Sequence, residues 1–231
     1  MSEPPFPKTD SEVAVEARGI VRTFEIGENR IEVLKGVSLT VKHGETLFLV
    51  GPSGAGKTSL LYTLAGLERP NQGDVIINGR SLYKLGRREQ ANVRNSSMGY
   101  VFQSFFLLPE LTALENVMIP ALLRGKQAKD RARELLERVG LGDRIGHLPS
   151  EMSGGEQQRV AIARSLINDP AIIFADEPTG NLDTVTGAAV MALLMQLVNE
   201  RQRTLLVVTH DHSLARVGDR KVTLVDGVIE D

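Results

Sequence analysis

The chain has 231 residues, 42% of them hydrophobic, and a formal net charge of −2, which fits one large domain with a substantial core and gives no reason to expect bulk nucleic-acid binding. It contains no cysteine and no tryptophan, so disulfides and thiolate zinc sites are excluded and a reducing compartment is the default. No apolar run approaches the ~18–20 residues that span a bilayer, and the N-terminus, with Pro4, Pro5 and Pro7, lacks the apolar stretch of a signal peptide. Residues 1–12 therefore read as a frayed tail, and any service to a membrane is expected from a soluble subunit on its cytoplasmic side.

From Glu12 to Val50 the chain reads as β, in the runs Val13–Val15, Glu32–Leu34, Val37–Val41 and Thr46–Val50. The run 37–41 alternates apolar and polar, like a half-buried strand, whereas 46–50 is almost wholly apolar, like a strand covered on both faces. Gly51-Pro52-Ser53-Gly54-Ala55-Gly56-Lys57-Thr58 then meets G-x-x-x-x-G-K-[ST] at every fixed position, between that apolar strand and a helix expected over 57–67. Such a loop turns backbone N–H groups at Gly54 and Gly56 onto phosphate oxygens. It sends Lys57 to the β- and γ-phosphates and offers the Thr58 hydroxyl to Mg²⁺. Gly73–Gly79 is a strand bounded by turn residues, and 99–103 is another, ending at Gln103. A neutral amide there serves either as a polar strand end or as a carbonyl ligand for Mg²⁺ or the attacking water.

After Gln103 the pattern turns helical until about residue 167. Ala128, Ala132, Leu135, Leu136 and Val139 share one helix face. Pro109, Gly125 and Pro149 cut the region into short helices, so about 104–150 reads as a helical subdomain inserted into an α/β core. The apolar run Phe105–Pro109 suits either plain core or the wall of a groove. Ser153 is a good N-cap for a helix over 154–168. Ser153-Gly154-Gly155 suits capping alone, or a second Gly-rich helix N-terminus left open to a phosphate, which would mean two copies of the chain sharing one nucleotide.

Ala171–Ala175 is an apolar strand. Asp176 and Glu177 at its C-terminal end face the ligand crevice of a parallel sheet: Asp176 as a partner of Mg²⁺, Glu177 as general base for water attacking a γ-phosphate. Asp-Glu-Pro alone would equally suit two solvated acids. A helix over 184–201 and an apolar strand over 205–209 follow. His210, at the end of that strand, is either structural or a donor to a γ-phosphate oxygen. His212 reads as an exposed helix-start residue, and nothing singles out His43 or His147. Alternating buried strands and helices imply a mostly parallel sheet with helices on both faces.

With these residues in place the chain resembles the nucleotide-binding subunit of ABC transporters almost end to end. The phosphate loop 51–58, the Q-loop Gln103, the signature 152–156, Asp176 and Glu177 of the Walker B strand, the D-loop Gly180-Asn181-Leu182-Asp183 and the switch His210 stand in the family's order. The resemblance implies a single ABC ATPase domain over 1–231. Its fold would be α/β: a P-loop NTPase core with a mostly parallel sheet, antiparallel β elements near the N-terminus and the inserted helical subdomain. It implies ATP bound by Gly51, Ser53, Gly54, Gly56, Lys57, Thr58 and Ser59, and from a facing copy by Ser153, Gly154, Gly155 and Asp183. Mg²⁺ would be held by Thr58, Gln103 and Asp176, and catalysis carried by Glu177, His210 and Gln103. Phe24, where many relatives carry Tyr, takes the place of the adenine-stacking aromatic, or is simply a core residue. A ring there stacks on a base without reading its edge, which implies modest adenine selectivity.

Within the family, the signature and the stretch Pro178–Asp183 resemble the branch of lipoprotein-release (LolD-like), macrolide-export (MacB-like) and division-site (FtsE-like) ATPases. Val101–Phe105, Leu114–Val117 and Pro120–Gly125 are most similar to its YbbA-type members. Met152 for Leu, Glu156 for Gln and Asn181 for Ala depart mildly from the broader pattern. The branch implies a homodimer that closes around ATP, on the cytoplasmic face of the inner membrane. It would drive an integral permease of four spans with a large extracytoplasmic domain, for export or extraction of lipids, lipoproteins or hydrophobic compounds, with no nucleic-acid partner. The alternatives are an FtsE-like mechanical regulator without transport and, further off, a soluble ABC protein of repair or translation.

Overall fold

The computed structural model describes residues 12–27, 29–211 and 214–230. Most of the segment read as a tail, and His212, lie outside them. The chain opens with two long strands, β1 (Val13–Ile26) and β2 (Asn29–Lys42), paired antiparallel along their length. The sequence pattern breaks these strands into short runs, with Gly19 and Gly36 outside all of them. The structure instead carries the chain through both glycines, at φ 58° and 81°, with register shifts in the ladder beside Gly19. Such shifts bend a strand without ending it. β4 (Gln72–Ile77) adds to the far side of β1, and the two-residue β5 (Arg80–Ser81) closes a four-stranded antiparallel sheet in the order β2-β1-β4-β5.

The second sheet has six strands, β3 (Thr46–Val50), β6 (Met98–Phe102), β7 (Ile172–Asp176), β8 (Thr204–Val208), β9 (Arg220–Val225) and β10 (Val228–Glu230). In the order β10-β9-β3-β8-β7-β6 all neighbours are parallel except the last hairpin, β9–β10. This is the α/β class expected from the sequence, with a mostly parallel sheet and an antiparallel one near the N-terminus. β3, β7 and β8 are buried at every position, which is why each reads as an unbroken apolar run.

Helices cover both faces. α1 (Lys57–Leu64) leaves the phosphate loop and stops three residues before the expected end, because Gly66 at φ 70° turns the chain and Leu67 N–H bonds back to Tyr62 O. α2 (Arg87–Ser97) has no counterpart in the sequence reading. α3 (Ala113–Leu122) and α4 (Lys129–Arg138) lie between β6 and β7 in the chain and pack on α5 (Gly154–Leu166). α6 (Thr184–Asn199) joins β7 to β8. Period-two alternation divides the strands between two cores. Leu47 and Leu49 face Leu60, Leu61 and Leu64 of α1, together with the antiparallel sheet. Phe48 and Val50 face Val160, Ile162 and Leu166 of α5, together with α3, α4 and α6. The helix of the phosphate loop and the helix of the signature thus lie on opposite faces of the parallel sheet. Among the described residues no helix is long and apolar enough to cross a membrane.

Candidate active site

The loop 51–58 joins β3 to α1 at the C-terminal edge of the parallel sheet. Gly56, at φ 98°, is the N-cap of α1, and a Cβ there would stand 2.7 Å from Val33 O. At Gly51 (φ 147°) a Cβ would meet Leu224 O at 2.0 Å. Both positions therefore require glycine, and the loop they shape runs directly into the N-terminus of a helix, whose first N–H groups have no partner within the helix. Lys57 is buried, and its Nζ donates to Gly51 O and Pro52 O, both at 2.9 Å. An ammonium bonded to carbonyls across the mouth of such a loop is suited to a phosphate. Ser53, Gly54 and Thr58 are exposed at this mouth, and Ser59 is half-buried in the first turn of α1.

Asp176 is the last residue of β7 and is buried. Its Oδ1 accepts from Thr58 Oγ1 at 3.0 Å. Burial pushes its carboxyl up from the ordinary aspartate value, against hydrogen bonds from Thr58 and Tyr62. Glu177 follows at φ 41°, a left-handed conformation that is costly for a residue with a side chain and typical of functional sites. Its Oε2 lies 3.0 Å from Nδ1 of His210, whose side chain is 62% exposed. Gln103, just past β6, is bonded to the D-loop: its Nε2 donates to Asn181 Oδ1 at 3.2 Å and its carbonyl accepts from Asn181 Nδ2 at 3.0 Å. Gly180 lets these groups crowd together, since a Cβ on it would be 2.7 Å from Gln103 Nε2 and 3.1 Å from Glu177 Oε2.

The structure therefore brings Lys57, Thr58 and Asp176 together at one strand end, and Gln103, Glu177, Asn181 and His210 together beside it. For Mg²⁺ the donor set fits. Thr58 and Asp176 offer hard oxygens, and among the described residues no cluster of three acidic, histidine or cysteine side chains builds a complete cage. That is the habit of Mg²⁺ sites completed by phosphate and water. The Gln103 Nε2 is engaged with Asn181, and its Oε1 is the atom that would join them.

Ser153 caps α5 in a reciprocal box. Its Oγ accepts from Glu156 N at 3.3 Å, and Glu156 Oε2 accepts from Ser153 N at 2.8 Å and Oγ at 2.9 Å. Gly155 is buried, and its missing Cβ admits Thr186 Cγ2, which would otherwise sit at 2.5 Å. That glycine thus serves packing between α5 and α6 within the chain. Asp183 caps α6, accepting from Val185 N at 3.1 Å and Thr186 N at 3.0 Å, and shares a cleft of about 310 Å³ with Glu177 and His210. Phe24 is half-buried near the end of β1, with the Arg22 guanidinium 4.4 Å over its ring, so one face of the ring already carries a cation–π contact.

A larger groove, about 660 Å³, lies away from the phosphate loop and is lined by Tyr100, Phe102, Phe106, Leu108, Leu123 and Arg164 among others. Phe106 is 61% exposed, and Leu108 and Leu123 are exposed beside it, so the run 105–109 is not plain core. Phe105 and Phe106 are both left-handed, at φ 58° and 47°, and their carbonyls accept from Arg164 at 2.5 Å each. Burial lowers the pKa of that guanidinium to about 10, which leaves it charged at neutral pH. The sequence reading passes over Arg164 and Tyr62. Both leave a signal: an arginine directly after the apolar run Val160–Ala163, and an aromatic four residues after Thr58 on the same helix face.

The sequence pattern of the ABC transporter family matches residues 34–180. An uncharacterized ABC transporter ATP-binding protein of Thermotoga maritima is 51% identical over 212 residues, 90% of each chain. The lipoprotein-releasing system ATP-binding protein LolD of Shewanella frigidimarina is 46% identical, covering 94% of this chain and 92% of its own. Among solved structures, the ATP-binding cassette MJ0796, a dimer in a post-hydrolysis state bound to ADP and Pi, superimposes with a TM-score of 0.87 at 42% identity over 94% of this chain and 97% of that one.

Proposed function

Because the chain belongs to the ABC transporter family and is an ATPase subunit of it, we propose that two copies close head to tail around ATP and drive a membrane permease. The observation that carries this reading is the placement of α1 and α5 on opposite faces of the sheet. One chain does not turn its own Ser153–Gly155 onto its own phosphate loop, whereas a facing copy can. The dimeric cassette structures at 42% identity support the same arrangement.

In this reading the loop N–H groups and Lys57 bind the phosphates, and Ser153, Gly154 and Gly155 of the facing copy close over the γ-phosphate. Thr58 and Asp176, with Gln103, would hold Mg²⁺, which supplies charge neutralisation on the phosphate oxygens when bound. Glu177 takes the proton of the attacking water, and His210, already hydrogen-bonded to it, fixes its orientation. Phe24 stacks on the base, and Asp183 holds the D-loop at the shared interface through its cap on α6. ATP binds the closed dimer better than the open one, so hydrolysis lets the dimer relax. The LolD relatives support a role in driving release of lipoproteins or other lipidic cargo, with this subunit held by the permease at the cytoplasmic face of the inner membrane. The apolar groove at Phe106, Leu108 and Leu123 takes a short cytoplasmic helix of the permease.

The test is Glu177→Gln. It should retain ATP binding, lose at least ~100-fold in turnover, the lower range for general-base catalysis, and elute as a dimer in ATP but not ADP. Near-normal hydrolysis by this variant would remove Glu177 from the role of base, and a monomer in ATP would remove the shared site. Isolation of the native complex and identification of its membrane protein tests the permease.

A further inference from the structure

Gln158 is fully buried in the second turn of α5, and its amide reaches two main-chain carbonyls that flank the site. Nε2 donates to Pro178 O at 2.6 Å and, over a longer 3.4 Å, to Phe102 O. Both partners are acceptors, so the amide must present its NH₂ group to them. That leaves Oε1 buried with no hydrogen-bond partner among the described residues, which is a costly way to fill a core position. Pro178 directly follows Glu177, and the Phe102 carbonyl belongs to the peptide that enters Gln103. One side chain of α5 thus holds the main chain just after the acid and just before the amide of the site.

The strained backbone at Glu177 gives such a contact a use. A left-handed residue with a side chain persists only where its surroundings over-determine it. The N–H of Glu177 donates to Val208 O at 3.0 Å, and its carbonyl accepts from Gly180 N at 2.9 Å. Pro178 has no N–H to add. Its carbonyl is what the next peptide offers as an anchor, and Gln158 takes it. Without that anchor the peptide can rotate and Glu177 can relax, which carries its carboxylate away from His210.

We propose that Gln158 is a positioning residue for Glu177: through the Pro178 carbonyl it holds the acid in its left-handed conformation, and through the Phe102 carbonyl it keeps Gln103 beside it. The proposal rests on the reading above that Glu177 is the general base. Gln158→Met keeps the length of the side chain, deletes the donor and removes the unpaired acceptor. Gln158→Asn keeps the amide but leaves it one methylene short of Pro178 O.

In this chain proline precedes threonine only at 178–179, and phenylalanine precedes glutamine only at 102–103. Protein carrying ¹³C-carbonyl proline with ¹⁵N-threonine, or ¹³C-carbonyl phenylalanine with ¹⁵N-glutamine, therefore gives a single carbonyl–nitrogen NMR correlation for each contact. Gln158→Met should shift both, and the Pro178 carbonyl more, because its hydrogen bond is the shorter. In turnover assays kcat of either variant should fall about 10- to 100-fold, the scale of loss for a misplaced group. ATP affinity and the thermal midpoint should stay near those of the unaltered protein. Adding Gln158→Met to Glu177→Gln should deepen the loss of Glu177→Gln only slightly, because both act through one carboxylate. A Pro178 resonance that does not move, an unchanged kcat, or fully additive losses in the double variant overturns the proposal. Loss of the fold or of ATP binding in both Gln158 variants overturns it too, since Gln158 would then be structural alone. In each of these cases a large loss of turnover in Glu177→Gln leaves the base reading standing. Near-normal turnover by Glu177→Gln removes the base reading, and the proposal falls with it.

Discussion

In the proposed dimer Ser153 would hold two roles in one hydroxyl, and chemistry separates them. Its Oγ caps α5 within the chain, and in that dimer the same atom would meet a phosphate held by the second copy. Losing a cap of this kind costs about 1 kcal/mol, so Ser153→Ala should lower stability by about that amount in urea unfolding. Asparagine caps a helix as well as serine does, so Ser153→Asn should recover the stability without recovering ATP-driven dimerisation. Recovery of both would reduce Ser153 to a cap. The other half of the box adds a pH signature. The Glu156 carboxyl is held below the ordinary glutamate value, first by the Ser153 backbone N–H and then by its hydroxyl. A carboxyl depressed in the folded state contributes stability that is complete above its unfolded pKa, about 4.3, and lost as the pH falls through the folded value. The stability gap between the unaltered protein and Glu156→Ala should therefore be constant near neutral pH and shrink in acid. A gap that persists in strong acid would mean the box acts through packing instead.

Between elements, close approach decides the geometry of the groove, and glycine decides the approach. A Cβ on Gly99 of β6 would stand 2.5 Å from the Ser165 carbonyl of α5 and 3.1 Å from Pro170 Cγ. Backbone, not a flexible side chain, would have to move. Gly99→Ala should cost about 1–3 kcal/mol by overpacking, seen as a thermal midpoint lower by several degrees, at about 2–4 °C per kcal/mol for a domain of this size. An unchanged midpoint would mean α5 can slide without cost. Spacing of this kind is invisible in the sequence, where Gly99 reads only as part of a strand. The elements that were legible have strong local signals: β3, β7 and β8 through unbroken apolar runs, α5 and its cap through Ser153, and the phosphate loop through its glycines. α2 was not legible because Val93 and Ser97 are its only buried residues and polar side chains cover the rest. Its one marker is Glu89, whose carboxylate accepts from the Gly86 N–H at 3.1 Å. The site followed the same rule. Residues set by the loop and by strand ends could be placed from spacing, whereas the link from Gln103 to Asn181, and the Arg164 grip on Phe105 and Phe106, join segments far apart in the chain.

At the scale of the whole molecule, the exposed apolar side chains mark surfaces with different occupants. Val185, 80% exposed, stands at the start of α6 beside the D-loop, on the side where the proposed second copy would sit. Phe106, Leu108 and Leu123 line the groove between β6 and α3, and Leu123 is 76% exposed. A side chain that exposed contributes little to the fold, and surface replacements of this kind usually change stability by less than about 0.5 kcal/mol. A clustered apolar surface beside a cleft instead marks a partner. The lining also contains Arg94 and Arg164 and no acidic residue, so a helix that docks there gains from an acidic side chain and is repelled by a basic one. Leu123→Glu should therefore leave the thermal midpoint and the basal ATPase of the isolated subunit unchanged. It should strip the membrane protein from the native complex, because a carboxylate buried against an apolar helix costs more than the contact returns. Retention of the permease in affinity purification, at the level seen with the unaltered subunit, would place the docking surface elsewhere.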